Sequence, residues 1–494
     1  MRKFIFSVLI ISMILVGCGV QNAPPSNTLR MSIPLKSSSI APYDTDTAVQ
    51  VGAVETLFKT TDDGEVRPWL VEDVKQVSSR KLQMKVKPGI HFQNGHALTA
   101  KSIEASLKYA LKRSDMLKGT LPIASVDSHG HYVEITTTSP YPELKSELAS
   151  PFAGIIDTSS EKDPKRHPIG TGPYQVSEFK PSEKIKLQRF DEYWDGKPKL
   201  DGVEVRYQED GNLRVDNLLS GDIDLTNNIP VHRIKSLKAS DEAKVAHTPG
   251  FRTSLLLYNN DSDAISKPVR RAMDLVINRK QIADVISSGY AKPAVGPFNT
   301  ELDFIKDKQP TKVDVKQARR IMEELGYSAK RPLKLNMISY DGRPELPKIA
   351  QVIQSEAKQA HIDVEIRNVN DIEGYLAEKD KWDISMYSFN TMPRGDTGYF
   401  FNSAYLKDGS INKGGYHNKA VTKLIDKLNH TTDVAERHRL SNRILSVSKT
   451  DTPNSYITYN DEILGMNQRV KGVDVTPTGA YLIDSEVYID EDND

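Results

Sequence analysis

The sequence predicts an α/β protein of two lobes, with a smaller subdomain inserted in the first lobe. After residue 250, helix-like runs alternate with strand-like runs, which is typical of a sheet covered by helices. Before that point, short segments alternate apolar and polar residues as half-buried strands do. A chain of 494 residues is long enough for two or three such domains.

The first half of the chain contains strand-like segments around one clear helix. Residues 81–86 alternate cleanly and end at Pro88 and Gly89, which predict a turn. A helix is expected from Thr99, because apolar residues recur after it at helical spacing as far as Leu111. Further strands are predicted over 29–35, 132–135, 185–187 and 203–205, and a short helix over 212–220.

The second half begins with a nearly continuous apolar run over 254–258, as expected for a buried strand. Helices are predicted over 269–277, 315–325 and 346–360, and strands over 334–338, 364–366 and 384–387. Ligands of such sheets bind at the carboxyl ends of the strands, which in a two-lobed protein means the cleft. The patterns thus predict two α/β lobes with a break near residue 250, and a smaller inserted region over 47–167.

The first residues predict export. Two basic residues precede an apolar run over 4–16, which is too short for a membrane span of about 20 residues. Residues 1–17 are therefore interpreted as a signal peptide. The segment 15–18 (Leu-Val-Gly-Cys) resembles the bacterial lipobox, in which the cysteine is lipidated. Cys18 is the only cysteine, so it cannot form an internal disulfide, and residues 18–28 would be the spacer behind a lipid anchor. The alternative is a chance Gly-Cys pair.

Composition and motifs exclude other classes of protein. Lys and Arg total 66 and so do Asp and Glu, which argues against a nucleic-acid-binding protein. An exported hydrolase is a different candidate, but the sequence contains neither a Gly-x-Ser-x-Gly elbow nor a His-Glu-x-x-His zinc motif. We expect no enzymatic activity.

Several short motifs occur in order along most of the chain: 67–70 (Arg-Pro-Trp-Leu), 87–95 (Lys-Pro-Gly-Ile-His-Phe-Gln-Asn-Gly), 98–100 (Leu-Thr-Ala), 169–174 (Ile-Gly-Thr-Gly-Pro-Tyr), 193–194 (Tyr-Trp), 221–224 (Gly-Asp-Ile-Asp), 269–272 (Val-Arg-Arg-Ala), 289–294 (Gly-Tyr-Ala-Lys-Pro-Ala), 318–327 and 414–418 (Gly-Gly-Tyr-His-Asn). Together they resemble the extracellular substrate-binding lipoproteins of peptide- and nickel-type ABC importers, solute-binding protein family 5.

The resemblance implies a periplasmic-binding-protein-like clamshell whose second lobe is inserted in the first and which closes on a ligand without catalysis. With this arrangement the expected domains are lobe I (29–46), the inserted subdomain (47–167), lobe I (168–250), lobe II (251–468) and a return to lobe I (469–494). It implies an extracytoplasmic, lipid-anchored monomer without a cofactor, whose partners are the permease and ATPase of its importer. We expect the transported ligand to be Ni(II) bound to an organic chelator, such as free histidine. The alternative within the class is an oligopeptide.

The resemblance also indicates candidate ligand contacts in 387–396, which leave a buried strand and enter a loop. The nickel branch commonly has a Trp and a Tyr-Asp-Pro here, whereas this chain has Asn390 and Arg394-Gly395-Asp396. Arg394 could bind a chelator carboxylate through a bidentate fork; the alternative is a surface arginine or one paired with Asp396. Tyr387 and Asn390 are candidate contacts in the same segment.

Other candidates are less direct. The branch usually places a second arginine in the segment matching 149–153, where this chain has none, and Arg113 is the nearest substitute unless it is a solvated helix end. Tyr43 and Thr45 match the family's first cleft loop. His417 is the candidate for a direct metal contact, since imidazole suits Ni(II), and the alternative is a surface histidine. The histidines form no dedicated cage, which would normally need four ligands.

Overall fold

The structure is a computed structural model that describes residues 27–490, except 35, 62–63, 115–116, 119–120, 341 and 344. The predicted signal peptide, Cys18 and the spacer as far as 26 lie outside the described residues. The strands are β1 Thr28–Ile33, β2 Phe58–Thr60, β3 Val66–Pro68, β4 Val71–Ser78, β5 Lys81–Val86, β6 Ile123–His129, β7 Tyr132–Thr137, β8 Tyr174–Lys180, β9 Lys184–Arg189, β10 Gly202–Tyr207, β11 Leu225–Asn227, β12 Ala243–Tyr258, β13 Ala291–Pro293, β14 Leu333–Ser339, β15 Ile362–Asn368, β16 Ile384–Asn390, β17 Asn454–Asn467, β18 Val470–Lys471 and β19 Tyr488–Ile489.

The helices lie mainly in the second half of the chain, as the apolar spacing predicts. They are α1 Thr47–Gln50, α2 Ala100–Arg113, α3 Leu144–Glu147, α4 Gly211–Leu219, α5 Ile234–Lys238, α6 Lys267–Val276, α7 Arg279–Gln281, α8 Val315–Glu324, α9 Leu346–Lys358, α10 Ile372–Ala377, α11 Gly398–Tyr405, α12 Lys419–Asn429 and α13 Val434–Lys449. No helix in the described ranges is long and apolar enough to cross a membrane.

One mixed sheet runs through the molecule in the order β15-β14-β16-β12-β17-β11-β1-β10-β9-β8, with β13 paired to β17. Parallel pairs lie in both halves of this sheet, β14 with β15 and β1 with β10, and the long strands β12 and β17 pair antiparallel between them. Parallel strands need crossover connections, which is why helices separate them in the sequence. The mixed sheet with covering helices agrees with the predicted α/β class.

The hydrophobic core is divided on either side of this strand pair. One cluster contains Leu29, Leu187, Leu464 and Met466, and we call the part of the chain around it lobe I. Two further clusters, which include Leu256, Met273 and Ile353 and then Phe298, Phe400 and Ile444, form lobe II. Leu464 and Met466 of β17 belong to the lobe I cluster, whereas Ile457 and Tyr459 of the same strand belong to the lobe II clusters, so one strand serves both lobes. The domain bounds, with the return at 469, stay a prediction.

The crossover has an irregular backbone. Residues 243–249 of β12 pair with 467–461 of β17, and residues 252–257 pair with 460–454, with a register shift between Pro249 and Arg252. Such a bulge bends a strand and redirects the next side chain. Arg252 is the first paired residue after it, and it lies opposite Asn390 of β16.

A separate sheet in the order β4-β5-β7-β6, with α2 in contact with β6 and β7, lies within the range of the predicted inserted subdomain. Leu82, Met84 and Val86 are buried on one face of β5, as their alternation predicts. Thr99 caps α2 and accepts a hydrogen bond from the Ser102 backbone.

Candidate functional site

A cavity of about 230 Å³ lies between the two lobes. Both lobes contribute to its lining, as expected for a ligand site in a two-lobed protein. The lining residues from lobe I are Asp46, Gln50, Ser150, Pro151, Phe152, Asn227, Asn228, Glu462, Leu464, Val475, Thr476, Thr478, Gly479, Ala480 and Leu482, and those from lobe II are Arg252, Arg343, Asn390, Pro393 and Arg394.

Arg252 and Arg343 give the cavity its charge. Within the described ranges, neither guanidinium has a hydrogen bond or an ion pair within 4 Å. Burial, and next the repulsion from Arg343, lower the pKa of Arg252 to about 10, so it remains a cation at neutral pH. Burial raises the pKa of Glu462, against the attraction of Arg252 and Arg343. The cavity therefore offers two unpaired cations to an anionic ligand.

Polar atoms without partners lie between these charges. Ser150 Oγ, Asn227 Oδ1 and Asn390 Oδ1 are buried and have no hydrogen-bond partner among the described residues. Arg214 holds the loop of Asn227, since its guanidinium donates to the backbone carbonyls of Asn227 and Asn228 at 3.4 and 2.9 Å. Buried polar atoms normally have partners. The cavity thus combines donors for carboxylates with acceptors for N–H groups, a pattern that suits an amino-acid-like ligand.

Arg394 lines the cavity, but its guanidinium is already engaged. Nη1 donates to Glu147 Oε1 at 2.8 Å, and the group lies 4.8 Å from the centre of the Tyr399 ring. Asp396 bonds Arg437 instead, at 2.6 Å. Arg394 is therefore neither a surface arginine nor the partner of Asp396, and its direct contact with a ligand stays a prediction.

Among the other predicted contacts, only Asn390 belongs to the lining. Tyr387 lies on the same strand, but its hydroxyl donates to Glu373 at 2.6 Å. Thr45 bonds Thr47 and precedes Asp46, which lines the cavity. The remaining candidates lie elsewhere: Tyr43 is buried against Tyr109, Arg113 stacks on that same ring at 3.4 Å with its side chain exposed, and His417 is exposed in a loop.

Direct metal ligation has little support in the geometry. Across the part of the chain that the structure describes, no group of three or more His, Cys, Asp or Glu side chains could hold a metal ion. The residues found to line the cavity include neither histidine nor cysteine. The described lining therefore favours binding a ligand through its arginine and amide side chains over binding a metal ion directly.

Arg252 and Arg343 are not among the contacts predicted from the sequence. Arg343 follows β14, and that strand is parallel to both its neighbours, so its carboxyl end is where ligands of such sheets bind. Arg252 lies two residues before the apolar run 254–258. A charged residue this close to a buried strand is uncommon and suggests a specific role. These two signals could have found the pair, whereas the position of the bulge could not be read from the sequence.

Comparison with known proteins identifies the family to which the chain belongs. A family model described as bacterial extracellular solute-binding proteins, family 5, middle region, matches residues 65–413. The nickel-binding protein NikA of Staphylococcus aureus is 50% identical over 478 residues, which cover 97% of this chain and 97% of that protein. A crystal structure of NikA from Staphylococcus aureus in complex with Ni(L-His)2 matches with 51% identity and a TM-score of 0.82, covering 94% of this chain and all (100%) of that one.

A nickel ABC transporter structure from Bacillus halodurans matches with 34% identity and a TM-score of 0.83, again covering 94% of this chain and 100% of that one. These matches confirm the predicted two-lobed α/β fold. The chain belongs to the bacterial extracellular solute-binding proteins of family 5.

Proposed function

We propose that this protein captures Ni(II) as a chelate with small carboxylate ligands, such as two histidines, and delivers it to the permease and ATPase of an ABC importer. It acts outside the cytoplasmic membrane, as a monomer held by a lipid on Cys18, and has no catalytic step and no cofactor of its own. The complex of the Staphylococcus aureus relative with Ni(L-His)2 supports the choice of chelator.

The observation that carries the proposal is that two guanidiniums, Arg252 and Arg343, line the cavity and have no ion-pair partner among the described residues. Two cations repel a bare metal dication, but they attract the carboxylates that surround it in a chelate. The imidazole and amine N–H groups of histidine could donate to Asn227 Oδ1 and Asn390 Oδ1, which have no partner among the described residues.

Cavity size favours the chelate over an oligopeptide. A volume of about 230 Å³ lies below the usual range of roughly 300–1,000 Å³ for small-molecule pockets. A peptide of several residues would also need backbone partners along an extended groove. The binding test described next distinguishes the chelate from a peptide.

The test is calorimetric titration of preformed nickel–histidine into the protein and three variants. Arg252→Gln and Arg343→Gln should each weaken binding by about tenfold to a hundredfold, since a charge-assisted bond contributes about 1.5–3 kcal/mol. Arg189→Gln is the matched control, because Arg189 ends β9, pairs with Asp191 and Asp201, and does not line the cavity. Unchanged affinity in both cavity variants would contradict the proposal, as would tight binding of peptides in place of the chelate.

A further inference from the structure

A buried group of five charged residues joins the two lobes beside the cavity. We call Glu143, Glu147, Arg394, Asp396 and Arg437 the interlobe cluster. Glu143 immediately precedes helix α3 of lobe I, and Glu147 is the last residue of that helix. The other three residues belong to lobe II. Arg394 donates to Glu147 at 2.8 Å, and Arg437 donates to Glu143 at 2.8 Å and to Asp396 at 2.6 Å.

The cluster is buried and closely packed. Both glutamates and both arginines are buried, and Asp396 is half-buried. Gly398 makes the approach of Glu143 possible, because a Cβ at residue 398 would lie 2.1 Å from Glu143 Oε1 and 3.0 Å from Arg437 Nη2. Contacts this close between residues of different lobes can form only when the lobes meet.

The charges of the cluster do not balance. Three carboxylates face two guanidiniums, so full ionisation leaves one net negative charge in a buried place. Glu143 Oε2 and Glu147 Oε2 are both buried and have no hydrogen-bond partner among the described residues. One added proton, bound to either of these oxygens, would make the cluster neutral.

In the described part of the chain, only Arg394 and Arg437 form ion pairs with these carboxylates. Burial lowers the pKa of His438, which follows Arg437 on α13, so the imidazole is neutral at neutral pH. Burial, then repulsion from Asp396, raises the pKa of Glu143 to about 7, while burial raises that of Glu147 against the pull of Arg394. The groups that face the cluster are Tyr141 before α3, Tyr399 on α11, His438 on α13 and, beyond it, Glu65.

We propose that the interlobe cluster is a proton-linked latch: as the lobes close on the ligand, the cluster leaves water and takes up one proton, so that mild acid strengthens closure. In the open state the glutamates are solvated and ionised near neutral pH. Closure then draws a proton from solvent onto a carboxylate oxygen of Glu143 or Glu147. This inference rests on the proposed function only for the ligand that drives closure.

The sign of the effect follows from linkage. A carboxyl group whose pKa is higher in the closed state binds more protons there, so closure is favoured at low pH and loses this advantage as pH rises to about 7. With an ordinary glutamate pKa of about 4.3 in the open state, binding through the latch should be about tenfold tighter near pH 6 than near pH 8.

The experiment compares wild type with Glu143→Gln, a neutral mimic of the protonated acid, in titrations with the same preformed nickel–histidine near pH 6 and near pH 8. The ratio of the variant's affinity to that of wild type should rise by about tenfold from pH 6 to pH 8, because only wild type loses the contribution of the bound proton. Titrations in buffers with different ionisation heats should show wild type taking up about one proton more than the variant near pH 6. Comparing the two proteins at each pH removes the ligand's own protonation.

Glu436→Gln is the control, because Glu436 lies next to Arg437 in the chain but pairs with Lys427 and Arg439 outside the cluster. It should behave as wild type does. A constant ratio between Glu143→Gln and wild type would overturn the latch, since a merely structural residue weakens binding equally at both pH values. If wild type binds no nickel–histidine, the proposed function fails, and small-angle scattering of the ligand-free proteins decides the latch. Ligand-free wild type, but not Glu143→Gln, should then be more compact near pH 6 than near pH 8. An unchanged radius of wild type would overturn the latch.

Discussion

Arg394 of lobe II donates a 2.8 Å hydrogen bond to Glu147 of lobe I, and both side chains are buried. Arg394, which the sequence analysis predicts as a ligand contact, is thus bound to the opposite lobe. Its charge contributes to closure, and only the parts of the guanidinium that face the cavity remain for a carboxylate. The two roles make different predictions.

We expect Arg394→Gln to weaken nickel–histidine binding by about a hundredfold or more. Removing one partner of a buried ion pair costs about 3–5 kcal/mol, because the other charge stays buried alone. Adding Glu147→Gln should recover part of this loss, since two amides can pair without charge. Calorimetry on both single variants and the double variant completes the cycle. Strictly additive losses would show that Arg394 acts on the ligand directly and not through Glu147.

Gly395 should control closure by its size. Its φ is +75°, and a Cβ there would lie 2.3 Å from the carbonyl oxygen of Gly64 on the opposite lobe. Gly395→Ala should therefore lower ligand affinity by about tenfold or more, at a strain cost of order 1–3 kcal/mol. Gly326→Ala is the matched control, because Gly326 has a φ of +87° but open space around it. Equal affinity losses in the two variants would mean that backbone strain, and not the contact between lobes, is responsible.

Glu55 should make lobe I less stable as pH rises. Its buried carboxylate accepts hydrogen bonds from Thr171, Tyr193 and Trp194 at 2.6–2.9 Å, but burial still raises its pKa to about 7. Because the unfolded chain has a lower pKa, the contribution of Glu55 to the free energy of unfolding is largest in acid and falls as pH rises to about 7. Thermal melts should show a weaker pH dependence in Glu55→Gln than in wild type. The same dependence in both would assign the effect to other groups.

The sequence predicts local structure well here and long-range contacts poorly. The alternation over 81–86 and the helical spacing after Thr99 define β5 and α2, because those patterns depend on one buried face. Asn390 and Arg394 could be placed in the cleft because their loop follows a buried strand. The Arg394–Glu147 pair joins residues 247 positions apart, and it depends on how two lobes meet. No local pattern encodes that meeting.

Cys18 should determine where the protein resides. If lipid on this cysteine anchors the chain, Cys18→Ser should release the protein from the membrane fraction without changing ligand affinity. Cell fractionation followed by calorimetry on the released protein checks both statements. A variant that stays in the membrane fraction would show that the anchor lies elsewhere.

The central claim is that the cavity recognises a chelate by its carboxylates. Its most direct test is a paired titration of the protein without its first 26 residues, with nickel plus histidine and with nickel alone, both checked by native mass spectrometry. Because Arg252 and Arg343 line the cavity without partners in the described chain, nickel with histidine should bind tightly, in one step and with histidine retained in the complex. Nickel alone should bind weakly and at scattered sites. Equal affinity for nickel in the presence and absence of histidine would contradict the account.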